Sequence, residues 1–513
     1  MRNVSHSCPA GLSAVVCACS GLCVSFCLWP YRTGFLAFFV LIPFIIFSGI
    51  RDGRGRFLLN SFVFGMGYFM GSLYWIAMLE REQITVPWLR LPAAIVLCLY
   101  LSIFMLITGY VTRRLIRLRI PYEIALAISW WAIEYLRSLG PLGFPWVSIG
   151  YSQTPYVPLI QQASVIGLYG LSAWVVLING LLSRFIASRR VVFLAVAVAA
   201  FGGPVLWGLT TLSRSGSEGS ARLSLIQPNI SGNVKWDQGF ADGTMQLLGE
   251  MTADSRGSDM VVWPETAVPF HLKHSPRSLD DVIALAEDLE MALLLGFPDY
   301  EEQDEQYRFF NSALLVTPSS GRLAEYRKIH LVPFGEMIPF EDKIEILRRI
   351  DLGEGDFSPG DEYTVFELDT LKFAVAICFE SIYPDLVRGF VEHGAGFIVN
   401  ITNDEWFGAS LGPFQHAQMA VMRAVEFRVG LARCANTGIS MFVDPYGRIT
   451  SKTDIFERQI LTGDVVAGRG GTLYLKAGKY LETGVLVGVL VLALLSHSLS
   501  VVRTRRLRGL TPG

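Results

Sequence analysis

Long apolar stretches constrain this chain more than any other feature. A run of roughly 20 mostly apolar residues is what a helix needs to cross a bilayer. Within the hydrocarbon a helix satisfies its own backbone polar groups, which an open strand cannot. Seven such stretches precede residue 213, at about 11–29, 33–50, 58–78, 92–112, 121–137, 160–183 and 191–211, and one more lies near 483–502. Composition agrees, since 51% of the 513 residues are hydrophobic and only 17% charged, too apolar for an ordinary soluble protein. Glu123 and Glu134 interrupt the fifth stretch. A lipid-facing carboxylate is costly, so Glu134 is expected to face the bundle or the interface.

Charge placement says more than the net charge of −2, which gives no sign of a nucleic-acid partner. Arg51, Arg54 and Arg56 follow the second stretch, and Arg113, Arg114, Arg117 and Arg119 the fourth. Arg184, Arg189 and Arg190 follow the sixth, and Arg503, Arg505, Arg506 and Arg508 the eighth. The positive-inside rule then places both termini in the cytoplasm and the long segment 213–480 on the outer side. Arg2 and the apolar run after it lack an A-x-A-like cleavage site, so they read as a retained anchor.

After the polar linker TTLSRSGSEGS (210–220) the pattern changes. The segments 221–229, 259–265, 291–299, 311–318, 372–380, 396–404 and 438–445 read as short strands, several apolar on both faces. Such strands belong in sheets covered by helices. SPRSLDDVIALAEDLEM (275–291) reads as an amphipathic helix whose Ser278 and Asp281 have capping-box spacing. PFQHAQMAVMRAVEFRVGLARC (413–434) reads as a second helix. The expected organisation is seven transmembrane helices in 1–212, an α/β domain in 213–470, and an eighth helix with a basic tail in 471–513.

Of eight cysteines, Cys8, Cys17, Cys19, Cys23, Cys27 and Cys98 lie in or beside apolar stretches, where Cys is a small packing residue. Cys378 and Cys434 fall in the α/β domain. An oxidising compartment makes a bridge between them one reading, an inert buried thiol another, and a nucleophile a third. A nucleophilic thiol, with an ordinary pKa near ~8.5, needs a base or a nearby cation. Glu265 in VVWPETAVPF, Lys328 in EYRKIHLVPFGE and Cys378 in AICFES each stand where an expected strand runs out, which is where parallel sheets collect functional groups. Glu265 would take the thiol proton, and Lys328, with the N–H following Cys378, would stabilise an oxyanion. Glu336 would hold Lys328 or a substrate amine. Taken as spacing alone, the trio is no stronger than solvated strand ends and a core thiol.

VVWPET, YRKIHLVPFGE and ICFESIYPD resemble the three signature segments of the nitrilase, or carbon–nitrogen hydrolase, superfamily. The resemblance implies an α-β-β-α sandwich carrying a triad of Glu265 as base, Lys328 as oxyanion stabiliser and Cys378 as acylated nucleophile. With the apolar stretches added, the chain resembles the apolipoprotein N-acyltransferase family of bacterial inner membranes. QPNISGNVKWD (227–237), FFNSALLV (309–316), NITNDEWFG (400–408) and the run from GPFQHAQM support this. The implied fold is a polytopic α-helical membrane domain of about eight spans plus an α/β nitrilase-like sandwich domain. Glu336 and Glu380 match supporting positions, Trp236 an aromatic near bound lipid and Asn311 a polar group near the site; Trp406, in NITNDEWFG, is a further substrate-binding candidate. Phe379 stands where the family often has Tyr, which keeps an aromatic wall and loses a hydroxyl.

The implied reaction moves an acyl chain from a membrane phospholipid, through a thioester on Cys378, to the N-terminal amine of a diacylglyceryl-cysteine on an apolipoprotein, with no cofactor or metal. The implied setting is the bacterial inner membrane, with the α/β domain on its outer side. The competing readings are a membrane-tethered amidase or nitrilase acting on a small amide, and a lipid-binding scaffold with an inactive domain. Two loops are candidates for handling lipid. Segment 140–158 is either a lipid-facing mouth or an interfacial aromatic belt. Segment 334–358, with Met337, Ile338, Phe340, Ile344 and Leu347, is either a lid or a packed amphipathic helix. Three further motifs are discounted. GASLG (408–412) lacks the strand-to-helix context of a serine elbow. HLKH (271–274) lacks a third metal ligand. GRGG (468–471) reads as a linker.

Overall fold

A computed structural model describes residues 9–28, 30, 32–50, 56–79, 88, 90–213, 219–232, 238–303, 306–318, 323–341, 343 and 357–508. Contacts divide the chain into two units, one of Met1–Ala77, Leu91–Thr211 and Lys476–Gly513, the other of Met78–Arg90 and Leu212–Leu475.

The first unit is built from α1 (Ala10–Cys23), α2 (Ile42–Phe47), α3 (Arg56–Ser72), α4 (Arg90–Arg117), α5 (Tyr122–Arg137), α6 (Ala163–Ser188), α7 (Val191–Ser213) and the C-terminal helix Leu473–Arg508. Small residues let the first helices touch backbone to backbone. A β-carbon on Gly67 would lie 2.2 Å from Ala18 O, and one on Gly21 would lie 2.1 Å from Phe64 O. Among the described residues five helices are long and apolar enough to cross a membrane, namely Ala10–Cys27, Arg90–Arg117, Ala163–Ser188, Val191–Ser213 and Leu473–Ser500. The other three expected spans are helical but short. They are the apolar Gly34–Phe47 and helices α3 and α5, of 17 and 16 residues. At 1.5 Å per residue α3 and α5 reach about 25 Å, less than the ~30 Å of hydrocarbon. Length and composition thus identify five of the eight expected spans among the described residues.

The acidic groups of α5 are paired. Glu123 takes both its bonds from Arg184, at 2.7 and 2.8 Å. Glu134 is buried and accepts from Trp130 Nε1 at 2.9 Å. The aromatic loop after α5 turns inward, because the buried Arg137 needs acceptors and takes Trp146 O at 2.9 Å and Ser148 Oγ at 3.1 Å. Tyr68 donates to Val147 O. Trp146 and Tyr151 are consequently core residues of the helical unit, not a mouth or a belt.

The second unit holds two six-stranded sheets. The first contains β1 (Ser220–Gln227), β2 (Met260–Val262), β3 (Ala292–Gln303), β4 (Gln306–Val316) and β5 (Leu323–Arg327). The second contains β6 (Phe366–Leu368), β7 (Leu371–Ile377), β8 (Phe397–Thr402), β9 (Gly430–Ala435), β10 (Met441–Val443) and β11 (Ile449–Lys452). The last strand, β12 (Gln459–Val466), returns to the first sheet, whose order is β12-β1-β2-β3-β4-β5; the second runs β11-β10-β9-β8-β7-β6. β1, β2 and β3 are parallel, as are β7, β8 and β9.

Helices α8 (Ala241–Ala253) and α9 (Pro276–Leu289) cover the first sheet. Leu248, Met251, Val282 and Ala286 join Val261, Trp263, Leu293 and Leu295 in one core. Alternate residues such as Val262 and Leu294 are buried too, on the face turned to the second sheet. Across the sandwich β1 and β12 touch β9, while α10 (Pro384–Glu392) and α11 (Gly412–Phe427) pack on β7 and β9. This is the α-β-β-α sandwich.

Three local expectations are corrected. The helix expected over 413–434 stops at Phe427, where Arg428 turns left-handed (φ 55°), and Gly430–Ala435 is the buried strand β9. The helix α9 begins one turn earlier than a start at Ser278, because Pro276 occupies its first turn and Ser275 the N-cap position, without a side-chain capping bond. Cys378 and Cys434 are both free, and the Cys434 thiol lies 3.2 Å from Ile226 O and 3.3 Å from Val262 O. The short or partly exposed strands β6, β11 and β12 add to the expected set, and β5 is the strand that runs out at Lys328. At its other end α9 stops on the exposed Glu290, which is left-handed at φ 54°. Such a residue carries a steric cost that glycine escapes. Glu290→Gly is expected to stabilise the protein by about 0.5–1 kcal/mol, read as a raised Tm in detergent.

Candidate active site

Glu265, Lys328 and Cys378 stand just beyond the ends of β2, β5 and β7. The turn Trp263-Pro264-Glu265 crosses β3 at Gly296, where a β-carbon would lie 2.7 Å from Pro264 O and 2.8 Å from Glu265 Cα. Only glycine allows that approach, so Gly296 lets the carboxylate reach the site. Glu265 is buried, and its Oε1 accepts from Asn311 Nδ2 at 2.8 Å and from Lys328 Nζ at 3.4 Å. Its Oε2 accepts from Asn403 N at 3.0 Å.

Lys328 is fully buried, and its main contact is Glu336 Oε1 at 2.7 Å. Burial alone would lower its pKa, but Glu336, Glu265 and the Cys378 thiol lift it above the ordinary lysine value, so it stays charged. Glu336 is fixed in turn by Val332 N at 2.9 Å and Asn311 Nδ2 at 3.2 Å. Asn311 therefore donates to both carboxylates that flank the ammonium.

Cys378 is left-handed, φ 51°, a costly conformation for a residue with a side chain. Burial pushes its thiol pKa well up, Glu265 and Asp404 add to this, and Lys328 with the Thr402 hydroxyl opposes it. The resting group is thus a thiol, next to a carboxylate able to take its proton and an ammonium able to receive the charge that develops.

Glu380 clamps the turn that carries Cys378. Its Oε2 accepts from Ile377 N at 2.7 Å. Its Oε1 accepts from Ile329 N at 2.7 Å, His330 N at 3.0 Å and Tyr326 Oη at 2.7 Å. The Cys378 turn is thereby tied to the segment carrying Lys328. Burial raises the Glu380 carboxyl to about 7, with the His330 and Ile377 amides pulling the other way. Burial and then Lys328 lower His330 to about 4, so its imidazole, 3.8 Å from the Tyr383 ring, is neutral.

The other expected residues divide. Asn311, Glu336 and Glu380 are in the cluster. Phe379 is buried beside it, edge-on to Tyr383 at 5.4 Å. Trp406 is partly exposed on the turn Glu405–Phe407, and Trp236 lies outside the described residues. In the expected lid Ile338 is buried and Phe340 exposed, whereas Ile344 and Leu347 lie outside the described residues. Ser410 accepts from Gly412 N at 3.0 Å, a turn contact at the start of α11. His274 stacks on Tyr300 at 3.8 Å.

Sequence reasoning missed Asn403, which acts through its backbone, and a fully buried group of Asp404, His416 and Arg433 behind Cys378. Asp404 and His416 lie inside quoted segments; Arg433 was hidden in the helix expected through 434.

At about pH 8 Glu380 is ionised and serves four donors. Glu380→Gln would set an amide donor against them, and each buried donor left unmatched costs about 1–3 kcal/mol. The expected result is a Tm at least about 2 °C lower, measured by thermal melting in detergent.

A carbon–nitrogen hydrolase model matches residues 222–473, and a model of the apolipoprotein N-acyltransferase N-terminal domain matches residues 20–181. Curated relatives named apolipoprotein N-acyltransferase match over most of their length. One from Geobacter metallireducens is 34% identical over 90% of this chain and 91% of its own. One from Bradyrhizobium diazoefficiens is 33% identical over 93% and 94%, and one from Allorhizobium ampelinum 35% over 79% and 78%. With apolar helices of spanning length in one unit and a carbon–nitrogen hydrolase fold in the other, the chain belongs to the apolipoprotein N-acyltransferase family, as a bacterial membrane acyltransferase.

Proposed function

We propose that this protein N-acylates apolipoproteins in two steps, with Cys378 as nucleophile, Glu265 as general base and Lys328 as oxyanion stabiliser. The observation that carries the reading is the buried convergence of these groups, with Lys328 2.7 Å from Glu336 and 3.4 Å from Glu265. First, Cys378 Sγ attacks an ester carbonyl of a membrane phospholipid and its proton passes to Glu265. The tetrahedral oxyanion forms opposite Lys328 and the N–H of Phe379. As the C–O bond breaks, Glu265 returns the proton to the leaving lysophospholipid, and a thioester remains.

The free α-amine of a diacylglyceryl-cysteine then attacks that thioester. Its proton goes to Glu265 and on to the departing Cys378 sulfur, and an amide is formed. Glu336, Asn311 and Glu380 hold the three groups in register, while Phe379, Trp236 and Trp406 border the substrates.

The arginines after the even-numbered apolar stretches support an arrangement of eight spans over 1–212 and 471–513. Both termini are cytoplasmic in it, and the catalytic domain, 213–470, lies on the outer face of the inner membrane. Working at that surface spares two acylated substrates the ~0.8 kcal/mol per CH₂ of moving their chains into water.

The test uses full-length protein in detergent, a phospholipid labelled in its acyl chain, and a diacylglyceryl-cysteine peptide. Label is expected first on the protein and then on the peptide amine. Cys378→Ala should abolish protein labelling, and Glu265→Gln should slow it by at least about 10²-fold. Labelled Cys378→Ala protein would remove Cys378 as the nucleophile. Release of label only as free fatty acid, with peptide present, would favour the hydrolase reading.

A further inference from the structure

We propose that His416 is a positioning residue for the nucleophile, holding the Cys378 carbonyl so that the left-handed turn presents the sulfur to Glu265. The proposal rests on the reading of Cys378 as the nucleophile.

The carbonyl of Cys378 has an unusual set of neighbours. Ser381 Oγ lies 3.0 Å from it, His416 Nε2 3.1 Å and Asn400 Nδ2 3.4 Å. A carbonyl oxygen only accepts, so Nε2 carries a proton in this contact. The ring is fully buried in α11, and its Nδ1 lies 2.8 Å from Asp404 Oδ1 and 3.1 Å from the Arg433 guanidinium. Asp404 also accepts from Thr402 Oγ1 at 2.9 Å and from Arg433 at 2.6 Å. Arg433 reaches Asn400 Oδ1, and Asn400 donates to Ala376 O at 2.8 Å. The chain of contacts thus leaves β7 at Ala376, crosses β8 and β9, and returns through α11 to the carbonyl of Cys378.

Two features set this apart from a device that only secures α11. The network ends on the one residue whose backbone is strained at the end of β7. The residue before Asp404 also donates its N–H to Glu265, at 3.0 Å. The corner 402–404 therefore supports the base directly and the nucleophile through His416. That corner is itself tightly built, since Asp404 is left-handed at φ 52° and a β-carbon on Gly438 would lie 2.2 Å from Asp404 Oδ2. Without its donors the Cys378 carbonyl would rotate as the turn relaxed, carrying the sulfur from the base and the Phe379 N–H from the oxyanion. A displacement of about 1 Å costs on the order of 10²-fold in rate.

The two amide isosteres of histidine test this. His416→Gln keeps an N–H donor near Nε2, and His416→Asn keeps one only near Nδ1. Full-length protein in detergent is assayed for single-turnover acylation of Cys378 by labelled phospholipid, for KM, for iodoacetamide alkylation of Cys378 by peptide mass, and for Tm. His416→Asn is expected to slow acylation about 10²-fold with KM within about twofold, and His416→Gln to restore at least about tenfold of that loss. Alkylation should follow the same order.

Equal losses in the two variants, tracking Tm, would leave His416 a structural residue and overturn the proposal, as would wild-type rates in His416→Asn. If His416→Asn does not fold, Ser381→Ala removes another donor to the same carbonyl, together with its 3.4 Å contact to His416 Nε2, and leaves the Asp404–Arg433 ion pair in place. Several-fold slower acylation at unchanged KM then supports the proposal, and an unchanged rate overturns it. If wild-type Cys378 is not acylated but alkylation still separates the two isosteres, the acyl-transfer reading fails and the positioning role stands.

Discussion

One buried ammonium organises the catalytic end of the sandwich. Lys328 has no exposed surface, and an unpaired charge at that depth would cost several kcal/mol. Its partners arrive from different places, Glu265 from beyond β2 and Glu336 from the turn after β5, with Asn311 of β4 donating to both. Two carboxylates around one ammonium leave an excess of negative charge. Burial first, and then Glu265 and Asp404, keep the Cys378 thiol protonated at rest against the pull of Lys328. In the proposed reaction charge is created only as the sulfur attacks, when the proton moves to Glu265 and the new oxyanion meets an ammonium already in place.

The arrangement depends on the sandwich and not on any single loop. Glu265, Asn311 and Lys328 belong to segments of the first sheet, Cys378 and Asn403 to the second. Two groups tie the layers. Glu380, beside the nucleophile, accepts from Ile329 and His330 N–H beyond β5, and Asn403, beyond β8, donates to Glu265. Sliding one sheet against the other would break both ties at once. Close-packed interiors resist such shear, which keeps reacting groups in place.

What was legible in the sequence follows from the range of each interaction. β2, β7 and β8 are short apolar runs ending at motif residues, so strand and functional residue were read together. The triad candidates, Asn311, Glu336 and Glu380 were found because they are side chains at recognisable positions. Asn403 was not, since it offers a backbone N–H, which any residue would supply. Arg433 was placed in a helix because MRAVEFRVGLARC keeps an apolar face at helical spacing. Only the left-handed turn at Arg428 and the slot between β8 and β10 make 430–435 a strand, and both are tertiary facts. Apolar content marked the short helices α3 and α5 as spans, because composition does not report where a helix stops.

The proposed cycle needs no second base. Glu265 gives its proton to the leaving lysophospholipid, so it is again a carboxylate when the acceptor amine arrives. Water meets the same carboxylate and the same thioester, so the triad alone does not choose transfer over hydrolysis. The choice must come from what occupies the space beside Cys378. Phe379, the next residue along the chain, is a buried ring edge-on to Tyr383.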